Sequence, residues 1–296
     1  MRTAFITGAN KGIGYHIAAG LVACGNWHVI LGCRNEALGT AAADAMRKLP
    51  APAGTTASRV SLIALDQVVP SSIQAASTAV QTLIGAGSAL DTLVLNAAIA
   101  YPGQCSVPFG EQARNTFACN YTGTLQFLQH FLPLVKPHGG RVIFVSSRMG
   151  LLNTASAELQ RLLQDDTLSL ERVDQLAAEF VSLAALGDHK TRGWPDSAYG
   201  TSKILLNAAI RVLARRLRSD GGSATHAGGG LFVASMCPGW CRTDLGTNEA
   251  PRSAEEGADT VIWLATAASE ASLGPSGAFF AERHQISYVD GSPVTR

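Results

Sequence analysis

The sequence predicts a single α/β domain, residues 1–296, built on a mostly parallel sheet of seven strands with helices wound over both faces. Three observations carry that expectation. Short β-branched runs alternate with alanine-rich helical stretches along the chain. The strand candidates are continuous apolar runs, Val142-Ile143-Phe144-Val145 being the clearest, as in strands buried on both sheet faces. A glycine-rich turn stands between the first strand candidate and the first helix candidate.

In order, the strand candidates are residues 3–7, 27–33, 59–65, 92–96, 141–146, 231–236 and 277–281. The helix candidates between them are about 13–24, 35–48, 71–84, 111–132, 198–219 and 254–268. The breaks at 50–54 and 221–230 read as surface loops. The second has a flexible composition, but the α/β pattern continues across it, so it marks a mobile loop and not a domain boundary. The stretch from about 148 to 197 interrupts the rhythm and reads as a partly helical insertion. Within it Val173, Leu176, Ala177, Phe180 and Ala184 recur at helical spacing, with Ser169 placed to cap and Glu171 in the first turn. That helix should pack one face on the body, as a cover beside a site or as decoration.

Composition narrows the function classes. Hydrophobic residues make up 47% of the chain and charged residues 15%, with 23 Lys+Arg against 22 Asp+Glu. The apolar content excludes a disordered chain, and the charge balance excludes a general nucleic-acid binder. No stretch supplies the ~18 apolar residues of a membrane span. The first strand candidate starts too near Met1 to leave room for a secretory leader. The six cysteines form no C-x-x-C pair, and no His or Cys set falls at metal-ligand spacing, so no metal site is expected. The thiols read as the reduced cysteines of a cytoplasmic protein.

The chemistry starts at Gly8-Ala9-Asn10-Lys11-Gly12-Ile13-Gly14. Glycine at these points permits a tight turn and lets backbone approach a pyrophosphate, and the following helix offers unpaired N–H groups. This is the turn of a Rossmann-type nucleotide site. NAD-binding proteins carry an acidic residue ~20 positions further on, for the ribose 2′-hydroxyl. Here Arg34 holds that place and Lys11 stands in the turn itself. Two cations suit a 2′-phosphate, which argues for NADPH/NADP+. Glu36 is the dissenting residue. Tyr199 and Lys203, at i and i+4, share one helix face. A phenol with an ordinary pKa of about 10 is a poor proton donor at neutral pH, and a neighbouring ammonium lowers that pKa. Ser146-Ser147 ends the fifth strand candidate.

With these residues in place, the sequence resembles the short-chain dehydrogenase/reductase family over about residues 3–288. The matching elements are the turn from Thr7 to Gly14, Leu65-Asp66, Leu95-Asn96-Ala97-Ala98, Asn120, Val145-Ser146-Ser147, Tyr199 with Lys203, and Pro238-Gly239. The stretches 193–199 and 237–244, Glu255-Glu256-Gly257 and the long Ser147-to-Tyr199 interval resemble the NADPH-dependent carbonyl reductase branch. The resemblance implies that Tyr199 protonates the carbonyl oxygen, Ser147 steadies it and Lys203 lowers the Tyr199 pKa and holds the nicotinamide ribose. It implies that Asn120 positions a relay water, Asp66 and Gln67 contact the adenine, and Asn96 lies along the cofactor. Pro238, Gly239, Cys241 and Thr243 should line the nicotinamide. Ala98 departs from the family, which has glycine there, and its β-carbon could shift the cofactor or be accepted by the backbone as it stands.

The implied function is NADPH-dependent reduction of a small-molecule carbonyl compound to an alcohol. Two alternatives stay open, NADP+-dependent oxidation of a secondary alcohol or hydroxysteroid and a non-catalytic NADP(H) sensor. In this branch the insertion covers helices that build tetramers elsewhere in the family, so a monomer is expected. Trp240 reads as an aromatic wall over the substrate or as core, and Trp194 more as core. Tyr101 and Phe109 hint at an aromatic pocket. Cys237 reads as structural, His130 as a packing residue, and Arg211, Arg215, Arg216 and Arg218 as a solvated helix end.

Overall fold

The computed structural model describes residues 1–103, 105–219, 230–266 and 273–294. Its strands run β1 (Arg2–Thr7), β2 (Trp27–Cys33), β3 (Arg59–Ala64), β4 (Thr92–Leu95), β5 (Arg141–Val145), β6 (Phe232–Cys237), β7 (Phe279–Ala281) and β8 (His284–Ile286). They form one sheet in the order β3-β2-β1-β4-β5-β6-β7-β8. Every pairing is parallel except β7 with β8. All seven expected strands are present, and the expected count of seven is corrected to eight. The added strand folds back from β7 through Glu282 and Arg283, both left-handed at φ 52° and 63°. Such two-residue turns usually carry Asn or Gly, so the sequence offered no hairpin signal.

Both sheet faces are buried, which is why the strands read as continuous apolar runs. Phe5, Leu93, Leu95, Val142 and Phe144 point to one core. Ala4, Ile6, Val94, Ile143 and Val145 alternate to the other. The second core is closed by α1 (Gly12–Ala23), α2 (Glu36–Arg47) and α9 (Ala254–Thr266). The first is closed by α3 (Pro70–Ile84), α4 (Phe109–Phe117), α5 (Thr124–Phe131) and α8 (Ala198–Ser219). The expected helix over 111–132 is present, with α4 passing into α5 through a π-helical turn, Ala118–Gly123, whose ends keep right-handed helical angles. Gly123 explains part of this. A β-carbon there would lie 2.4 Å from the Gln67 carbonyl oxygen, so helix and loop meet backbone to backbone. The last two residues of the expected helix 254–268, and the loop 221–230 apart from Gly230, fall outside the described residues.

The insertion contains α6 (Ala157–Gln164) and α7 (Leu170–Leu186). Val173, Leu176, Ala177, Phe180 and Ala184 are all buried. The Ser169 hydroxyl caps α7 by accepting from Arg172 N at 3.2 Å. The helix lies against α4 and α8. Of the four arginines of α8, Arg211, Arg215 and Arg218 are half-buried and not a solvated face, while Arg216 is exposed as expected. Arg211 donates to Leu163 O at 3.0 Å and lies 4.0 Å over the Tyr288 ring. Arg215 donates to Leu168 O. Arg216 forks onto Glu171, with both contacts at 2.8 Å. Arg218 reaches Ser276 O at 2.6 Å. Three of the four thus tie the insertion to α8, and Arg218 ties the segment before β7.

The aromatic readings divide. Trp194 is buried against Phe180. Phe109 stacks on His189 at 4.5 Å and meets Phe180 edge-on, so it belongs to the insertion's packing and not to a pocket wall. The Tyr101 hydroxyl accepts from Asn115 at 2.8 Å. His130 is exposed on α5, contrary to its expected packing role.

Candidate active site

The sheet order reverses between β1 and β4, which opens a crevice at their carboxyl ends. Thr7 joins the two strand ends. Its hydroxyl accepts from the N–H groups of Asn96 and Ala97, both at 2.9 Å. The Asn96 amide donates back to Thr7 O at 2.9 Å and Gly8 O at 3.3 Å. Gly8 and Gly12 are left-handed, at φ 65° and 55°. A β-carbon on Gly14 would sit 2.4 Å from the Gly8 oxygen, so only glycine lets α1 start this close to the turn. Lys11 is the N-cap of α1 and its side chain makes no capping hydrogen bond. The first N–H groups of the helix therefore lack a side-chain cap beside a cradle that a β-carbon would fill. This arrangement fits a dinucleotide pyrophosphate.

Around that cradle the expected residues take different places. Asn10 is half-buried in the turn. Ile13, Pro238 and the Cys241 thiol all surround Gly257, where a β-carbon would meet them at 3.3, 3.4 and 2.6 Å. Gly239 turns the chain at φ 81°, and Thr243 packs on Gly12. Arg34 is exposed directly after β2. Asp66 Oδ1 accepts from Val68 N at 3.1 Å. Gln67 turns inward, its amide donating to Ala97 O at 3.0 Å and Cys119 O at 2.9 Å, so it braces the crevice floor. Lys11 is paired with Asp244. Trp240 is 54% exposed and its indole N–H donates to Gly246 O, which removes the core reading. Ala98 does not lie in the left-handed region, so its β-carbon brings no backbone strain.

The second half of the site gathers on α8. Ser197 precedes the helix, and its hydroxyl accepts from Gly200 N at 3.0 Å. Tyr199 follows in the first turn, with Lys203 one turn on. Ser146 is buried with no partner for its hydroxyl. Ser147 is half-buried and accepts from Met149 N at 3.1 Å, and its hydroxyl acts to lower the pKa of the half-buried Tyr199. Lys203 is 3% exposed, donates to Val145 O at 2.9 Å and lies 5.6 Å from the Tyr199 ring centroid. Asn120, in the π turn, accepts from Ile99 N at 2.8 Å and donates to Ile99 O at 2.9 Å and Ser202 Oγ at 3.3 Å. The Cys237 thiol is buried and accepts from Arg148 N and Gly239 N, joining the Ser147 turn to the Pro238-Gly239 turn.

Burial decides the electrostatics. It pushes the Tyr199 phenol up to about 12, against a smaller opposing influence of Ser147. It brings the Lys203 ammonium down to about 8. The Lys203 ammonium, expected from the sequence to lower the Tyr199 pKa, donates to the Val145 carbonyl. The sequence reading missed Thr7 as a clamp, the backbone groups of Val145 and Ile99, and Asp244. The first had a signal, a hydroxyl at the end of β1 beside the turn. Backbone acceptors leave none.

Residues 2–158 match the family described as short chain dehydrogenase. Over 289 residues the chain is 37% identical to carbonyl reductase (NADPH) 1 of Sus scrofa, covering 97% of this chain and 94% of that protein. The chain belongs to the short-chain dehydrogenase family. Among solved family structures, salutaridine reductase from Papaver somniferum superposes with a TM-score of 0.77 at 26% identity, over 95% of this chain and 99% of that one. The NADPH-bound carbonyl reductase from chicken fatty liver shares the fold, with a TM-score of 0.66 at 22% identity over 100% of this chain and 94% of that one. Among the described residues no helix is long and apolar enough to cross a membrane, and no group of three or more His, Cys, Asp or Glu could hold a metal.

Proposed function

We propose that this family member reduces a ketone, aldehyde or quinone to the alcohol with NADPH. The observation that carries the reading is Tyr199 with, one turn along α8, the buried Lys203 ammonium held on Val145 O, while Ser147 after β5 and the glycine cradle after β1 stand at the carboxyl ends of strands of the same sheet. The high identity to a relative named carbonyl reductase (NADPH) supports the substrate class and cofactor. When bound, the nucleotide supplies the hydride. The protein's own residues do the rest. Ser147 orients the carbonyl oxygen and steadies its developing charge. Tyr199, neutral at physiological pH, donates its proton to that oxygen, which is more basic than the phenolate left behind. Lys203 stays close enough to offset the phenolate. Asn120 holds the π turn against Ile99 and Ser202, on the side from which Lys203 regains protons. Gly8, Asn10, Gly12, Ile13 and Gly14 form the nucleotide cradle, with Arg34 and Lys11 at the 2′-phosphate. Pro238, Gly239, Cys241 and Thr243 line the nicotinamide, and Trp240 borders the substrate.

The working protein is a single-domain monomer of the cytoplasm on this reading. The α7 helix lies over α4 and α8, and all six cysteines are free. Consumption of NADPH and NADH in parallel, with a panel of aldehydes, ketones and quinones, tests the function. Turnover with NADPH and little with NADH is expected. Equal use of both removes the Lys11 and Arg34 assignment, and tight binding without turnover favours the sensor. A tetramer in light scattering removes the monomer.

A further inference from the structure

The loop that follows β6 lies across the glycine-rich turn. Thr243 packs on Gly12, and a β-carbon there would lie 3.3 Å from Thr243 Cγ2. One residue on, the Asp244 carboxylate pairs with the Lys11 ammonium, and both side chains are largely exposed, at 78% and 63%. The loop that presents Asp244 is a shaped body. The N–H groups of Gly246 and Thr247 both donate to Thr243 O, at 3.0 and 2.9 Å. Trp240 closes over it onto Gly246 O. Its root is held to Arg252 by Arg242 N to Arg252 O at 2.8 Å and Arg252 N to Trp240 O at 3.2 Å. Asp244 is therefore held at one place, and what it meets there is Lys11.

Lys11 is also one of the two cations assigned to a 2′-phosphate. A carboxylate in contact with it and a phosphate dianion repel each other, so they compete for the same ammonium. We propose that Asp244 is a specificity-determining residue, which holds Lys11 while no 2′-phosphate is present and gives it up when one arrives. This rests on the assignment of Lys11 to that phosphate. A nucleotide whose adenine ribose ends in a hydroxyl has no charge with which to displace the carboxylate, and leaves the pair closed. Asp244 thus lowers affinity for the phosphorylated nucleotide alone and sets how far the site discriminates. Because the pair is exposed, the effect is about two- to fivefold and shrinks as salt is added.

The test is calorimetric and needs no turnover. The full chain is titrated with 2′-phospho-ADP-ribose and with ADP-ribose, as wild type, Asp244→Asn, Lys11→Gln and the double variant. Asp244→Asn should bind the phosphorylated ligand about two- to fivefold more tightly and ADP-ribose unchanged. In the Lys11→Gln background the Asp244 substitution should change neither. Unchanged or weaker binding of the phosphorylated ligand by Asp244→Asn overturns the proposal. So does an equal gain for both ligands, or a gain that persists without Lys11. Failure of the underlying nucleotide assignment looks different, since the wild type then binds both ligands alike and Lys11→Gln weakens neither.

Discussion

Tyr199 and Lys203 are displaced from their ordinary ionisation in opposite senses by the same cause, burial. Removing the Tyr199 hydroxyl separates chemistry from binding. Tyr199→Phe should lower turnover by at least about a hundredfold, while calorimetry finds its nucleotide affinity unchanged. Lys203 predicts a stability effect with a definite sign. Its folded pKa of about 8 lies below the ordinary lysine value of 10.5. Between those two pH values the unfolded chain binds a proton that the folded one has released, so stability rises with pH across that window. Lys203→Met should therefore stabilise the fold at pH 7 by about 3 kcal/mol, flatten the rise above pH 8, and abolish turnover. Denaturant titrations at pH 7 and pH 10 check the first two. A destabilised variant at pH 7 would mean that the bond to Val145 outweighs the cost of burying the charge.

Elements differ in how plainly the chain announced them. The strands were legible because burial on two faces leaves a run such as Val142 to Val145 no polar interruption. The insertion helix α7 was legible from its stripe and its Ser169 cap. The π turn was not, because nothing in residues 118–123 reports that the Gln67 loop will press against Gly123. Strand β8 was hidden by a turn without Asn or Gly, which Arg283 holds through Asp259 and the Thr260 hydroxyl. The α8 arginines other than Arg216 were misread because their acceptors are mostly backbone carbonyls of a distant segment. Their energetics should be unequal. Arg211→Ala removes a half-buried donor to Leu163 O and the contact with Tyr288, and should destabilise by about 1–3 kcal/mol in thermal or denaturant unfolding. Arg216→Ala breaks an exposed pair with Glu171 and should leave unfolding unchanged within error. Equal losses would show that the helix end acts as one charge cluster.

For the whole molecule, the glycine turn, Ser147 and the Tyr199–Lys203 pair were readable and the structure brings their elements to one end of the sheet. What the sequence could not supply was the set of neighbours that tune them, Thr7, Val145 O, Ile99 and Asp244, since these arise from strand order and loop return. Substrate identity is less legible still, because the segments expected to shape its pocket, the Trp240 loop and the insertion, are wholly or partly irregular. The stapling of α8 has a mechanical side. At 22 residues the helix is about 33 Å long. One end carries Tyr199 and the other is clamped by arginines to the insertion and to the segment before β7. A rod of that length behaves as a lever, so a tilt of a few degrees at the clamp moves Tyr199 by an ångström or more. The aim of the phenol is thus set partly from the opposite end of the protein.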